Sequence, residues 1–363
     1  MRREHDDRVG PRQARAERAQ EAPRRAVGDR EQRRAVRDEQ SGHAVRGHAT
    51  LCAESESEDV AVSVQPSLEP ECVAATGAIE LTIEARVRSL GELDVRRVLP
   101  AAQRRMVGPF IFFDHMGPAV FPPGKGLAVR PHPHIGLATI TYLFEGEIMH
   151  RDSLGYAQPI EAGAVNLMTA GRGIVHSERA SERDLPVSSR LHGIQSWMAL
   201  PLESEEIEPS FIHYAADALP ELDVGGCRVH VIIGTAFGAT SPVASYSPTL
   251  YLEVQMPRGA SFTLPADASE RAVYVVSGAM RVGGREHRDG ILAVARAGAT
   301  PSLTAVEDSR VMVIGGEPVG ARHIWWNFVS SSTERIERAK RDWVEGRIGK
   351  VAGDDEFIPL PER

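Results

Sequence analysis

Lysine is almost missing from this chain: of 42 basic residues only Lys125, Lys340 and Lys350 are lysine. The preference for arginine runs throughout, so it marks a coding bias and no particular surface. Cysteine is equally scarce. Cys52, Cys72 and Cys227 are odd in number and far apart, which fits neither a disulfide framework nor a CxxC metal site and points to a reducing compartment, the cytoplasm. No apolar run reaches the roughly 18 residues of a membrane-spanning helix. The basic N-terminus has no apolar segment of a secretory signal, and Glu4, Asp6, Asp7 and Glu17 make it too acidic for a transit peptide. The formal charge of −8 offers no electrostatic basis for nucleic acid or an anionic membrane as a partner.

What is present is ordinary for a globular protein: 363 residues, 42% apolar and 25% charged. That length fits two domains of about 100–200 residues each. Residues 1–76 differ from the rest, because "RREHDDRVGPRQARAERAQEAPRRAVGDREQ" and "ESESED" carry charge but almost no large apolar side chains. Such a segment cannot bury enough surface to offset its ordering entropy and is expected to be a disordered, Arg-rich extension.

From residue 78 the pattern changes. Ile79, Leu81, Ile83, Ala85 and Val87 alternate with Glu80, Thr82, Glu84, Arg86 and Arg88, the period of a half-buried strand. Short strand-like runs such as "PFIFFD", "ATITYLFEG", "HGIQSWMAL", "RVHVIIG" and "TLYLEVQM" follow, separated by Gly, Pro, Asp and Ser. Many short strands with regular turns predict an all-β sandwich or barrel. "ATITYLFEGEI" resembles "RAVYVVSGAMR", and each is followed by a Gly-led strand, "GAVNLMTAG" and "GILAVARAG"; this weak repeat predicts two similar β units in tandem. A hairpin is expected through Ser277-Gly278. One helix closes the chain in "SSTERIERAKRDWVEG", with Ser331 and Glu334 as its capping box, Ile336, Ala339, Trp343 and Val344 on one face, and Gly346 as its stop. It is expected to lie across a barrel and bury Trp343.

The chemistry sits in two short stretches. In "RPHPHIG", Pro131 and Pro133 exclude a helix, so His132 and His134 lie on one side of an extended strand, about 6.5–7 Å apart. In "TAGRGIVHSERA", His176 and Glu178 repeat the spacing behind Gly171 and Gly173, whose freedom permits a tight turn. Among 13 histidines one such pair can arise by chance; two pairs about a hairpin apart predict a metal site of three imidazoles and one carboxylate. His115, His150, His192, His213, His230, His287 and His323 lack such pairing and are expected to be structural or solvent-facing. Three nitrogens and one oxygen suit a divalent transition metal, with iron, manganese, nickel or copper able to keep positions open and zinc inclined to close at four ligands.

Gly126, His132-x-His134 and Gly146 resemble the first cupin motif, and Gly173 with His176 the second; the usual acid after the first pair is replaced by Leu137, Ala138 and Thr139. With "PHPHIGLATITYLFEGEIMHRDSLG", "LMTAGRGIVHSE", "GPFIFFDHMGP" and "SPTLYLEVQMPRGASFTLP", the chain resembles the pirin family over roughly residues 79–345. The resemblance implies a bicupin: two tandem double-stranded β-helix barrels, over residues 77–205 and 206–330, with a helix and tail over 331–363. It implies an Fe(II) site in the first barrel only, ligated by His132, His134, His176 and Glu178. It further implies a dioxygenase of quercetin 2,3-dioxygenase type, using dioxygen on a flavonol or similar small aromatic, with Glu178 as the base; the alternative is an iron-dependent regulator that binds a transcription factor or metabolic enzyme. Leu167 stands where many members carry Trp, a change of pocket lining or core packing.

Overall fold

The computed structural model describes residues 71–362 apart from residues 76 and 91; the rest of the expected extension, residues 1–70, lies outside the described residues. The fold is all-β with two barrels, each a large sheet facing a four-stranded one, as the turn-rich strand pattern predicts. In the first barrel the large sheet runs in the order Ser210–Tyr214, Val165–Thr169, Leu137–Glu145, Ser189–Ala199, Phe110–Phe121, Asp94–Leu99, Arg86–Ser89. The small sheet runs Ala128–His134, Ile174–Arg179, Glu147–Asp152, Ala157–Glu161. All pairings between these strands are antiparallel.

The large sheets explain why "FIFF" and "ATITYL" are apolar on both faces. The first seven residues of Phe110–Phe121 and of Leu137–Glu145 are all buried, because one side faces the barrel interior and the other faces the second barrel. One hydrophobic cluster crosses that seam: Phe110, Phe113, Tyr142 and Ile194 from the first barrel meet Ile232, Tyr251, Tyr274 and Ile314 from the second. Edge-to-face contacts join Phe110 to Tyr251 at 5.2 Å and Phe113 to Tyr274 at 5.1 Å. Leu167 belongs to this cluster, so its departure from the family pattern bears on core packing.

Four expectations are corrected by the structure. The strands Glu71–Ala74 and Ile79–Glu84 join the large sheet of the second barrel, pairing with each other and with Ile291–Ala295. The extension therefore ends before residue 71, and the first barrel begins after residue 84. Ile79, Leu81 and Ile83 drive that docking by burying one face. Similarly, the hairpin His323–Trp325 and Phe328–Ser330, assigned to the second barrel, returns to the first, where Phe328 bridges Ile135. The turn at Ser277-Gly278 makes no hairpin: Glu270–Ser277 stays in the large sheet while Ala279–Val282 passes into the small one. The first barrel repeats this at Gly146, between Leu137–Glu145 and Glu147–Asp152. Both glycines have positive φ, 83° and 91°, and an added Cβ would lie 2.4 Å from the Asp308 carbonyl oxygen or 2.1 Å from that of Arg190. The repeat seen in the sequence is thus a strand that changes sheets at a glycine.

The helix, the one α-helix among the described residues, spans Thr333–Val344 and begins one residue later than expected: Ser332 is its cap, accepting the Arg335 N–H at 3.3 Å. Ser331 is occupied elsewhere, donating its N–H and hydroxyl to Glu205. Ile336 and Ala339 pack against Ile135 and Phe328 of the first barrel. Trp343 is only half-buried and Val344 is exposed, because the face turns outward in the last turn and the following tail covers Trp343 instead.

Polar groups also tie the seam. The Tyr142 hydroxyl donates to Glu253 at 2.6 Å. His115 shares its Nδ1 with the Tyr274 hydroxyl at 2.9 Å and its Nε2 with His192 Nε2 at 2.8 Å. Burial pushes the His115 imidazole from 6.5 down to about 2, and burial with the nearby Arg310 and Arg96 charges pushes His192 down to about 4. A folded pKa below the unfolded value means that the unfolded chain binds more protons in acid, so the stabilisation is present above 6.5 and is lost as pH falls toward 4. The melting temperature should therefore drop over that interval, and His192→Phe, placing a ring beside Phe144, should make the drop shallower in a pH series of thermal melts.

Candidate metal centre

The small sheet of the first barrel carries the site. Ala128–His134 and Ile174–Arg179 are adjacent and antiparallel, with His176 opposite His132 and Ile174 opposite His134. Strand alternation turns His132, His134 and His176 inward, and all three are buried. One nitrogen from each lies within 4.8 Å of the others, and ring centroids are separated by 4.4–5.0 Å. Gly171 makes the expected tight turn before Ile174: its φ is 49°, and a Cβ there would lie 2.1 Å from the Ile207 carbonyl oxygen.

Hydrogen bonding settles which nitrogens face inward. His132 Nδ1–H donates to the Arg130 carbonyl at 2.9 Å, leaving Nε2 with its lone pair. His176 Nδ1 meets His150 Nδ1 at 3.3 Å, and His150 Nε2 meets Asp152 Oδ2 at 2.9 Å. Asp152 is held as an acceptor by the Leu154 and Tyr156 N–H groups. The proton placement that satisfies this chain has His176 donating to His150 and His150 donating to Asp152. His176 Nε2 is buried without a hydrogen-bond partner, and the buried His134 ring has no closer polar neighbour than a loose approach to the Asn327 backbone. Burial pushes His132 down to about 4 and holds His134 and His176 well below their usual 6.5, the neighbouring imidazoles adding to it. Neutral imidazoles with free lone pairs fit a divalent transition metal, which His132, His134 and His176 would hold.

Glu178 is not part of that close set. It follows His176 by two residues, across a register shift in the strand pairing, and lines the same cavity as His132 and His134. Gln195 Nε2 donates to its Oε1 at 3.1 Å, and the Thr141 hydroxyl donates to Gln195 Oε1 at 2.7 Å. Burial pushes the Glu178 carboxyl up to about 7, against the opposing pull of the Gln195 amide and the Thr141 hydroxyl on the carboxylate.

The cavity holds about 230 Å³. One wall is a stack: Arg97 lies 4.3 Å over the Phe112 ring, Phe112 stacks on Trp197 at 3.9 Å, and Trp197 meets His134 edge-on at 5.0 Å. Arg97 is fixed by Asp114 through two bonds of 2.7 and 2.8 Å. Trp326, Asn327 and Ile358, from the far end of the chain, complete the lining.

Sequence reasoning missed His150, Asp152, Arg97, Asp114 and Gln195. A signal existed for three of them. In "EIMHRD" the buried positions are Ile148, His150 and Asp152, so polar residues stand on an inward face. Asp114 likewise interrupts the apolar run "FIFFDHM". His115 and His150, expected to be structural or solvent-facing, are buried in polar networks.

The comparisons agree with this geometry. A family model described as Pirin matches residues 92–198, and one described as Pirin C-terminal cupin domain matches residues 251–349. A pirin-like protein of Caulobacter vibrioides is 52% identical over 288 residues, covering 78% of this chain and all of that protein. A Pseudomonas aeruginosa protein named "Putative quercetin 2,3-dioxygenase" is 40% identical, covering 74% of this chain and 85% of its own length. The crystal structure of quercetin 2,3-dioxygenase from Acinetobacter baumannii superposes with a TM-score of 0.72 at 34% identity, covering 79% of this chain and 95% of that one. Barrels, motifs and relatives coincide, and the chain belongs to the pirin family of bicupins.

Proposed function

We propose that this pirin is an Fe(II)-dependent dioxygenase of quercetin 2,3-dioxygenase type, acting on a flavonol or similar phenolic. The observation that carries the reading is the set of buried imidazole nitrogens without partners, beside a carboxyl group raised to about 7, in a largely apolar cavity. His132, His134 and His176 would hold the metal, with Glu178 as the fourth ligand or the base. A bound divalent ion supplies Lewis acidity to a phenolic hydroxyl and redox chemistry toward dioxygen.

The rest follows from the side chains. Gln195 occupies Glu178 Oε1, leaving Oε2 to take the proton of the substrate hydroxyl. A carboxylate within hydrogen-bond reach of that hydroxyl is suited to the task. Phe112 and Trp197 give the cavity an apolar aromatic wall. The buried Arg97–Asp114 pair at the end of the stack satisfies its own charge and keeps that wall fixed.

The test is anaerobic loading with ferrous iron, followed by oxygen uptake with quercetin and with a one-ring catechol, and detection of carbon monoxide from quercetin. Bound iron with turnover of a phenol supports the reading; bound iron with no turnover of either favours the regulatory alternative. His132→Ala, His134→Ala or His176→Ala should abolish stoichiometric metal binding in elemental analysis. Glu178→Gln should lower turnover by about 10²–10⁴-fold, and unchanged turnover would remove Glu178 from the proton transfer. Asp152→Asn or His150→Phe, which free the His176 ring, should weaken metal affinity by about 10–100-fold in competition with a chelator.

A further inference from the structure

After the helix the chain doubles back as residues 351–362, which contain no helix or strand. This tail contributes Ile358 to the cavity wall and is pinned to both ligand-bearing strands. Ile358 N–H donates to the Pro131 carbonyl at 2.8 Å, one residue from His132. Arg179, one residue from Glu178, holds Asp354 at 2.9 Å and Glu356 at 2.5 Å. Trp343 Nε1–H donates to the Ile358 carbonyl at 3.0 Å, and the Ile358 side chain faces the cavity.

With the tail in place the cavity is about 230 Å³, below the roughly 300–1,000 Å³ usual for sites that enclose a drug-sized ligand. A flavonol has a fused bicycle and a pendant ring; a catechol has one ring. The tail has few backbone hydrogen bonds of its own and its ion pairs reach solvent, so it belongs to the less stable part of the fold. Of the strands beneath it, Ile174–Arg179 is paired on both sides and Ala128–His134 is the edge of the four-stranded sheet.

We propose that the tail, with Ile358 at its centre, is a strap that sets substrate size: closed, it restricts the metal pocket to single-ring hydroxylated aromatics, and released, it admits flavonols. This rests on the phenol-oxygenase reading of the same site. Three proteins test it: the full chain, the chain ended after Gly353, and the full chain with Asp354→Asn and Glu356→Gln, which loosens the tether but keeps Ile358. Each is loaded with iron, titrated anaerobically with catechol and with quercetin, and separately timed for loss of iron to a chelator.

The full chain should favour catechol, and both variants should gain quercetin affinity by at least about tenfold and lose iron faster. Equal quercetin affinity and equal extraction rates in all three would overturn the strap, even if phenols are turned over. If no phenol binds any of them, the oxygenase reading fails and the extraction rates still decide whether the tail covers the mouth: faster release from the variants supports it, unchanged release overturns it. Should the truncated chain melt early, the charge variant alone carries the comparison.

Discussion

Three imidazoles that keep their lone pairs free inside a closed barrel are the constraint on which the site depends. A buried donor or acceptor left unpaired destabilises a fold by about 1–3 kcal/mol, and here His134 and His176 present such atoms toward one another. Burial also disfavours the second proton that would make either ring a cation. An arrangement of this kind is stable only if the surroundings hold it in place and something takes up the lone pairs. The first condition is met by the Arg130 carbonyl behind His132 and by the His150–Asp152 chain behind His176. The second is what a divalent cation provides.

The second barrel shows that the fold alone does not create this constraint. Its small sheet follows the same plan, in the order Ser261–Thr263, Ser302–Ala305, Ala279–Val282, Arg285–Arg288. Where the first barrel turns imidazoles inward, the second turns Phe262, Leu303 and Met280, packed into one apolar cluster with Val229 and Val311. Among the described residues the three histidines of the first barrel form the one cluster of metal-ligand type. The second barrel acts instead through its large sheet. It covers the back of the first barrel's large sheet, so strands carrying Gln195, Trp197 and Asp114 are buried on both faces and hold their side chains in fixed positions.

Much of this was legible in the chain. Period-two alternation gave the strand Ile79–Glu84, and the paired i, i+2 residues gave three side chains that meet. The resemblance between "ATITYLFEGEI" and "RAVYVVSGAMR" reported equivalent strands in two barrels. The connections were less legible, because a strand that crosses from one sheet to another at glycine has the same local pattern as a hairpin. Barrel membership of the chain ends was also hidden: nothing local to Ile79–Glu84 says that its partner is Ile291–Ala295, more than half the chain away. The helix cap shifted from Ser331 to Ser332 because Glu205, distant in sequence, takes the first serine. In each case local periodicity specified the element, and a long-range contact decided its neighbours.

The exchange of chain ends has a consequence for chemistry. The ligands, and the carboxylate and glutamine beside them, come from strands in the middle of the first barrel. Part of the cavity wall comes from segments beyond the second barrel, the Trp326–Asn327 turn and Ile358. Trp326 reaches its place only by adopting φ of 53°, a conformation unfavourable for a bulky residue; packing of Trp325 and Trp326 against Phe328 maintains it. The candidate metal ligands and the cavity residues Trp326, Asn327 and Ile358 therefore lie on separate stretches of chain and can change independently. The candidate ligands lie in the interior of the chain, whereas part of the wall that faces them is written in the last forty residues or so.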